Sequence, residues 1–425
     1  MIRIVDLNNT LWSDLATGLR GFVEKIKSLK SVELFAGGGG LALGAHQAGV
    51  SPILFLEWEK NSCETLRRNA QNFFGLSPTR ILESDIRIFN VDQIPQNFDL
   101  LVGGPPCQPF SIGGKKNGHK DVRDLFPEYL RVLSKTKPKA FLIENVKGIT
   151  SNRFKDYLEY VHLQLEHIER CPLNGDDWQK QLPRLRELNS KSPKKSYHVV
   201  SSLLNAVDFG VPQSRERFFI VGLRSDLGIQ FQFPIRTHSA DALLYEKYVS
   251  GSYFQKHGLK RQQPPKEFEK RLKALTLSKP AHQPYVTVRD ALFGLPVPKD
   301  GKEHSKFLNH IGIPGARTYP GHTGSHIDQP AKTLKAGVHG CPGGENMVLH
   351  DDGSVRYFSV REAARMQTFP DDYFFFGSRS EAMRQIGNAV PVRLASILLS
   401  KLKNDLTKPK VGNRSRTTNQ LDLGL

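Results

Sequence analysis

Residues 32–45 read VELFAGGGGLALGA, and this stretch decides the fold class. Its first four residues are mostly apolar, which is typical of a short buried strand. The four glycines end the strand, and the leucine- and alanine-rich residues after them favour the start of a helix. A strand, a tight turn and a helix in this order predict an α/β fold with parallel strands. The glycines also let a ligand approach the backbone, and the helix N-terminus offers free N–H groups.

Further apolar runs predict more strands of the same sheet, and each run is followed by a reactive or polar side chain. The runs cover residues 53–56, 81–82, 98–102 and 140–143. The residues that follow them are Glu57 with Trp58, Asp85, Cys107, and Glu144. Because the carboxyl ends of parallel strands meet at one edge of a sheet, we expect these side chains to lie close together.

Three of these residues are suited to hold a nucleoside. Glu57 follows the glycine turn by about 20 residues, the spacing at which a carboxylate accepts hydrogen bonds from ribose hydroxyls. Trp58 offers a face on which adenine can stack, and Asp85 can accept from an exocyclic amine. Each residue alone is compatible with an ordinary surface position, but together they predict a nucleoside pocket.

The turn around Cys107 is the candidate centre of the chemistry. Residues 104–111 read GPPCQPFS, and the prolines stiffen the turn. A lone cysteine is often only a small buried thiol, but a cysteine at a strand end beside a carboxylate is a candidate nucleophile. Residues 111–120 are glycine-rich and basic. They are compatible with a loop that closes over a substrate and touches phosphates, and equally with an ordinary surface loop.

Composition limits the possible partners. The chain has 425 residues and a formal net charge of +18, which favours a polyanionic partner, nucleic acid above all. Its four cysteines lie far apart without metal-ligand spacing, so we expect no metal and reduced thiols in a cytoplasm. No apolar run approaches a membrane span, and we expect no signal peptide and no membrane partner.

The remaining segments carry weaker signals. Apolar residues at helical spacing predict an amphipathic helix in an N-terminal extension, residues 1–30. Residues 171–195 are polar and aperiodic and are interpreted as a surface insertion, and residues 406–425 as a solvated tail. In residues 213–217, QSRER, alternation places Arg215 and Arg217 on one face of a strand, where they make salt bridges or bind an anion or a polar base edge.

In this order, the motifs resemble those of the DNA cytosine-5 methyltransferases. The matching blocks are FAGGGG (35–40), EW (57–58), SDI (84–86), GPPCQPFS (104–111), ENV (144–146), QSRER (213–217), SVREAARMQTFP (359–370) and QIGNAVP (385–391). They run from Val32 to about Leu394, nearly the whole chain. The resemblance implies a class I S-adenosylmethionine-dependent methyltransferase fold, with a mostly parallel doubly wound sheet and a smaller, irregular target-recognition domain.

The resemblance also implies a mechanism. The thiolate of Cys107 adds to C6 of a flipped-out cytosine, so that C5 can attack the methyl group of S-adenosylmethionine and leave S-adenosylhomocysteine. Loss of the C5 proton and elimination of the cysteine then release 5-methylcytosine. Glu144 holds or protonates N3, Arg217 lies at O2, and Arg215 supports the site and a nearby phosphate. No histidine base accompanies Cys107, so we expect the nearby arginines and N–H groups to lower its pKa.

Binding residues carry over in the same way. The implied cofactor contacts are Phe35, Ala36, Gly37, Gly39, Glu57, Trp58, Asp85, Ile86, Pro106, Asn388 and Ala389. The DNA-binding candidates are Gln108, Ser111, Lys115, Lys116, Arg123, Thr333, Arg361 and Arg365. Thr333 belongs to a Thr-Leu pair like that of the family's target-recognition domains. Gly113 stands where some relatives carry a serine, which leaves open what fills the vacated base position.

The implied domain order is simple. A catalytic and cofactor-binding domain spans residues 31–227 and a target-recognition domain 228–355. A hinge with the late arginine motif (356–378) and a C-terminal helix returning to the catalytic domain (379–405) follow. The resemblance, together with the compact length, implies a bacterial modification enzyme that acts on double-stranded DNA, with a cognate restriction endonuclease in the same system. We expect it to function as a monomer.

Three alternatives stay open from the sequence. A tRNA cytosine-5 methyltransferase of the same fold shares nearly all the motifs, although the long basic interval before Arg361 favours DNA. A catalytically inactive DNA-binding relative would not need Cys107, Glu144 and Arg217 together. A dinucleotide oxidoreductase is disfavoured, because the glycine turn departs from the G-x-G-x-x-G spacing.

Overall fold

The computed structural model describes residues 28–106, 124–171, 177–192, 194–336 and 346–408. The amphipathic helix expected before residue 28 and most of the tail lie outside these ranges. Six predicted site residues also lie outside them: Cys107, Gln108, Ser111, Lys115, Lys116 and Arg123.

A seven-stranded sheet forms the centre of the molecule, in the order β3-β2-β1-β4-β5-β7-β6. Its strands are β1 Leu29–Leu34, β2 Val50–Glu57, β3 Ile81–Glu83, β4 Leu100–Gly103, β5 Ala140–Val146, β6 Tyr197–Asn205 and β7 Glu216–Arg224. Strands β1 to β5 pair in parallel, and β7 runs antiparallel to both β5 and β6. The predicted α/β class with a mostly parallel sheet is confirmed. Strand β1 begins at Leu29, which the helical spacing had placed in the N-terminal helix.

Helices cover both faces of this sheet because its strands are apolar on both sides. On one face lie α3 (Phe126–Thr136), α4 (Lys155–Glu166) and α5 (Trp178–Lys191), packed against inward residues such as Val32 and Leu101. The other face is covered by α1 (Gly40–Gln47) and α12 (Val392–Thr407), which pack on Leu100 and Val102. Helix α2 (Lys60–Asn69) follows β2.

Helix α5 corrects the interpretation of residues 171–195 as a surface insertion. Leu182 and Leu185 are buried in the same cluster as the central strands. The ring of Trp178 lies 5.4 Å from that of Tyr157 in an edge-to-face contact. These apolar residues recur at helical spacing, but polar residues around them and Pro183 inside the helix obscured the pattern.

Residues 228–358 form a second, smaller unit of short elements. Its strands are β8 His238–Ser239, β9 Gln283–Pro284, β10 Ser325–His326, β11 Met347–Leu349 and β12 Val355–Tyr357. Its helices are α6 Ala240–Leu244, α7 Ser252–Lys256, α8 Glu269–Leu277 and α9 Val288–Leu292. Val288, Ile327 and Leu334 pack in one buried cluster with Leu43 and Leu66 of the first unit. The two units therefore share a hydrophobic core.

The chain then returns to the first unit through three helices. They are α10 Val360–Met366, α11 Arg379–Asn388 and α12. The sequence predicted one helix over residues 379–405, but Pro391 stands before α12 and separates it from α11. A proline restricts the residue before it to extended conformations, which ends α11. Among the described residues, no helix is long and apolar enough to span a membrane.

Candidate active site

A cavity of about 720 Å³ opens at the carboxyl ends of strands β1, β2, β4 and β5. This is the edge at which open α/β sheets bind ligands. Most of the residues predicted to bind the cofactor line it, together with two of the predicted catalytic residues. They are Phe35, Ala36, Gly37, Glu57, Trp58, Asp85, Ile86, Pro106, Asn388 and Ala389, with Glu144 and Arg217. Its size is that of a typical site for a small organic ligand.

Glu57 shapes the turn on which the cavity depends. One carboxylate oxygen accepts from the N–H of Gly37 at 2.8 Å, and the other accepts from Trp58 and Glu59 at 3.0 and 2.9 Å. Burial raises the pKa of Glu57, while these three N–H donors oppose the rise. The carboxylate thus joins the glycine turn to the end of β2 while still facing the cavity.

The glycine turn itself is tightly enclosed. Phe35 and Gly37 adopt left-handed backbone angles, with φ of 54° and 52°. Gly39 has φ of 86°, and a Cβ there would lie 2.5 Å from the hydroxyl oxygen of Tyr373. The same hydroxyl donates to the carbonyl oxygen of Gly38 at 2.9 Å. Gly39 therefore does not line the cavity but permits the close packing that supports the turn.

The outer wall offers an aromatic face and a carboxylate. Trp58 is 70% exposed although it lines the cavity, so its indole face is free to stack on a ligand. Both carboxylate oxygens of Asp85 accept from Nε of Arg87, at 3.0 and 2.9 Å, and this contact lowers the pKa of Asp85. Asp85 is therefore held ionised and can accept a charge-assisted hydrogen bond from an exocyclic amine.

Glu144 and Arg217 form a largely buried ion pair in the wall of the cavity. Nε of Arg217 lies 2.9 Å from Oε1 of Glu144, on the neighbouring strands β7 and β5. Burial raises the pKa of Glu144, and the charges of Arg217 and Arg215 oppose the rise. Gly104 makes room for this carboxylate, because a Cβ at Gly104 would lie 2.9 Å from Oε2. Its raised pKa makes this carboxyl group hold a proton more readily than an exposed glutamate does.

The backbone leading to Cys107 is fixed on both sides. Nδ2 of Asn145 donates to the carbonyl oxygen of Pro105 at 3.3 Å. The N–H of Leu125 donates to the carbonyl oxygen of Pro106 at 3.1 Å. Pro106, the last described residue before Cys107, lines the same cavity as Glu144.

Arg215 is placed differently from the prediction. Its side chain is fully buried and does not line the cavity. Its Nη atoms donate to the carbonyl oxygens of Leu334 at 3.2 Å and Gly387 at 2.5 Å. Arg215 therefore holds backbone rather than touching a phosphate, which corrects its assignment as a catalytic residue.

Two of the DNA-binding candidates also act inside the protein. Arg361 is fully buried and donates to the carbonyl oxygens of Leu308, Pro370 and Tyr373. Arg365 forms a two-pronged ion pair with Asp371 and donates to backbone carbonyls. Their donors are occupied, so these arginines do not fit the predicted DNA contact. Thr333 donates to the carbonyl oxygen of Ser214 at 2.7 Å and stays a DNA-binding prediction.

Sequence reasoning missed several residues of the cavity wall. Arg384 of α11 lines the cavity and pairs at 3.1 Å with Glu59, which also lines it. Tyr373 supports the glycine turn from a position 335 residues away. The available signal was only that Arg384 precedes the GN motif by one helical turn.

Among the described residues, His326, Asp328 and Asp351 bring possible metal ligands together. Arg289 lies between the two carboxylates, with its Nε 2.5 Å from Asp328 and an Nη 2.9 Å from Asp351. The guanidinium supplies the positive charge that these carboxylates require.

Known proteins resemble this chain over most of its length. The chain is 30% identical over 411 residues to the type II methyltransferase M.FnuDI of Fusobacterium nucleatum, covering 93% of this chain and 100% of that protein. It is 33% identical over 384 residues to the type II methyltransferase M.Sau96I of Staphylococcus aureus, covering 88% and 76% respectively.

Solved structures show the same fold at lower identity. A DNA modification methyltransferase encoded within a prophage (E. coli) superimposes with a TM-score of 0.55 at 21% identity, covering 90% of this chain and 100% of that one. The S. pombe Dnmt2 methyltransferase gives a TM-score of 0.52 at 18% identity, with 89% and 100% covered.

The family model covers both units of the molecule. The model of the C-5 cytosine-specific DNA methylases matches residues 29–169 and 174–404, which include every residue that lines the cavity. This chain belongs to the C-5 cytosine-specific DNA methylase family.

Proposed function

We propose that this protein transfers a methyl group from S-adenosylmethionine to C5 of a flipped-out cytosine in a specific double-stranded DNA sequence. The observation that carries the proposal is one continuous cavity. It joins a nucleoside-type wall of Glu57, Trp58 and Asp85 to the buried Glu144–Arg217 pair. The type II methyltransferases to which the chain is similar support DNA rather than tRNA as the substrate.

The cavity wall fits the cofactor on its own chemistry. Glu57 presents a carboxylate at the strand end for ribose hydroxyls, Trp58 an exposed indole for adenine, and Asp85 an ionised acceptor. Asn388 and Ala389 extend the wall beside the glycine turn, where a Cβ on Gly40 would lie 3.2 Å from Cβ of Ala389, and Pro106 lines it next to Cys107 in sequence. When bound there, S-adenosylmethionine would supply the methyl group.

Glu144 and Arg217 would prepare the base. A carboxyl group with a raised pKa can hold a proton at N3 of cytosine, which lowers the barrier to addition at C6. Arg217 carries the charge that stabilises O2 as electron density moves onto the ring. Nucleophilic attack at C6 falls to Cys107, which follows the fixed Pro105–Pro106 turn in sequence.

We further propose the biological setting. The enzyme acts as a monomer in the bacterial cytoplasm, because one chain supplies all the cavity residues named above. It would be the modification partner of a restriction endonuclease of the same specificity, as the type II relatives suggest. Sedimentation measurements on the free and DNA-bound enzyme test the monomer.

A covalent trap tests the chemistry. The enzyme is incubated with S-adenosylmethionine and a duplex containing 5-fluorocytosine in its recognition sequence, identified beforehand by mapping methylated sites in cells that express it. We expect a denaturation-resistant protein–DNA adduct with wild type and none with Cys107→Ala. A separate assay of methyl transfer from S-adenosylmethionine is expected to show no methylation of tRNA. An adduct that survives Cys107→Ala overturns the nucleophile, and methylation of tRNA in place of DNA overturns the substrate.

A further inference from the structure

Arg215 lies at a junction of three parts of the chain. It precedes β7, and its guanidinium bonds the carbonyl oxygens of Leu334 and Gly387, which lie 119 and 172 residues further along the sequence. Its side chain is fully buried, so water does not compete for these hydrogen bonds. The arrangement clamps two distant backbone segments to the catalytic sheet.

The first clamped segment comes from the second unit. Residues 331–334 lie beside residues 212–214. The N–H of Ala331 donates to the carbonyl oxygen of Pro212, and the N–H of Ser214 donates to the carbonyl oxygen of Ala331, both at 2.8 Å. The N–H of Leu334 also donates to Oε1 of Gln213 at 2.9 Å. The segment includes Thr333, the residue predicted to face DNA, and Lys332 beside it is exposed.

The second clamped segment belongs to the cofactor wall. Gly387 precedes Asn388 and Ala389, which both line the cavity. A Cβ at Gly387 would lie 2.7 Å from the backbone nitrogen of Ala336, so the two clamped segments touch each other directly. Only glycine permits this approach.

A second route of buried hydrogen bonds runs beside Arg215. Nε2 of Gln213 donates to Oε1 of Gln367 at 3.2 Å. Nε2 of Gln367 donates in turn to the carbonyl oxygens of Ile386 at 2.6 Å and Ala389 at 3.2 Å. Both glutamines are fully buried. The chain of bonds therefore leads from Leu334 of the second unit to Ala389 of the cavity wall without crossing solvent.

We propose that Arg215 and Gln213 are positioning residues that couple DNA binding at residues 331–334 to cofactor binding at Asn388 and Ala389. Buried polar groups with fixed partners tolerate few alternative arrangements, since a lost bond leaves a desolvated group unpaired. A DNA contact that orders residues 331–334 therefore also orders the cofactor wall, and the effect is reciprocal. The inference rests on the proposed function, because it takes DNA and S-adenosylmethionine as the two ligands.

The test measures cofactor affinity with and without DNA. Calorimetry gives the dissociation constant of S-adenosylhomocysteine for the free enzyme and for the enzyme saturated with target duplex. For wild type we expect tighter binding on the duplex complex, by a factor within about 5 to 150, the usual range for coupled sites. Arg215→Lys keeps the charge but cannot span both carbonyls, so this factor should fall towards one. Affinity for the cofactor without DNA should change less than the coupling does.

Controls separate coupling from stability. Arg356→Lys breaks another largely buried two-pronged contact of the second unit, to Glu362 at 2.7 Å, and should leave the coupling factor at its wild-type value. Gln213→Asn shortens the side chain that bonds Leu334 and Gln367 and should also lower the coupling factor. It serves as the test if Arg215→Lys does not fold. A wild-type enzyme that binds both ligands without coupling, or variants that couple as wild type does, would overturn the proposal. Failure of wild type to bind the duplex would instead overturn the proposed function.

Discussion

Burial gives the Glu144–Arg217 pair its chemical character. Both side chains are nearly enclosed, and the 2.9 Å contact offsets part of the cost of removing water from two charges. The pKa of Arg217 is lowered by burial and sustained by Glu144, while that of Glu144 is raised by burial and restrained by Arg217. We expect the pair to remain ionised until a base enters, and Glu144 then to share a proton with it.

Replacing Glu144 tests this role. Glu144→Gln keeps the shape but cannot take or give a proton, so single-turnover methyl transfer should slow by about 10²- to 10⁴-fold. Target-DNA affinity should change far less. Glu216→Gln is the matched control, because Glu216 lies on the neighbouring strand β7, next to Arg217, in an exposed ion pair with Lys147. A rate within a few fold of wild type for Glu144→Gln would contradict the assignment.

Glu33 is a buried carboxyl group that the proposed chemistry does not use. It lies in β1, fully enclosed, with Oε1 accepting from the hydroxyl of Ser31 at 2.6 Å. Burial raises its pKa from 4.5 to about 8, although the Ser31 hydroxyl opposes the rise. The folded state therefore holds a proton that the unfolded chain releases at lower pH.

The sign of the pH effect follows from this difference. The contribution of Glu33 to the free energy of unfolding is fully present below pH 4.5 and is lost as the pH rises to about 8. Above that pH it does not change further. The decrease is at most about 1.4 kcal/mol per pH unit. Glu57 and Glu144 act in the same direction, so the informative quantity is the difference between Glu33→Gln and wild type. Urea unfolding at pH 5 to 8 should show that the free energy of unfolding falls less steeply with pH for Glu33→Gln than for wild type. The exposed control Glu267→Gln should follow wild type. Equal pH slopes for Glu33→Gln and wild type would contradict the prediction.

Helices α1 and α12 cross at Gly44, and this crossing positions the cofactor wall. A Cβ on Gly44 would lie 2.4 Å from Cβ of Ala395 and 2.8 Å from the backbone nitrogen of Ser396. Because backbone cannot rotate away, even a methyl group must displace α12. Residues 388–390, just before α12, line the cavity, so the displacement would reach the ligand site.

Gly44→Ala should therefore destabilise the protein by about 1–3 kcal/mol, the usual cost of overpacking. Helix propensity alone predicts the opposite, since alanine is favoured over glycine by about 1 kcal/mol. Denaturant unfolding measures the sign, with exposed Gln47→Ala of the same helix as the control. A stabilised Gly44→Ala variant would show that α12 can move without cost.

The charge of the whole molecule governs its association with DNA. A net charge of +18 draws a polyanion from a distance and releases counterions on binding. We expect the logarithm of the DNA association constant to fall linearly with that of salt concentration, by about 0.9 per phosphate neutralised. Fluorescence anisotropy with target and unrelated duplexes should give similar slopes and different intercepts. A salt-independent affinity for unrelated duplex would contradict this expectation.

Local pattern in the sequence was sufficient for the central features. Apolar runs, the glycine turn and polar strand ends predicted the parallel sheet and brought Glu57, Trp58, Asp85 and Glu144 to one edge, because all parallel strands end on the same side. The family motifs added Arg217 and Asn388 to that wall. These predictions succeeded because each depends on residues close to one another in the chain.

Local patterns did not predict which side chains are buried by segments that are distant in the sequence. Arg215 and Arg361 resemble surface-seeking, anion-binding arginines in sequence, yet both are fully buried and bond carbonyls. Arg384 reaches the cavity, and Tyr373 supports the glycine turn behind it, only because α10 to α12 return to the first unit. Whether a guanidinium meets a phosphate or a carbonyl depends on which segments pack around it. Those segments lie over a hundred residues away from Arg215, so only the packed fold settles its role.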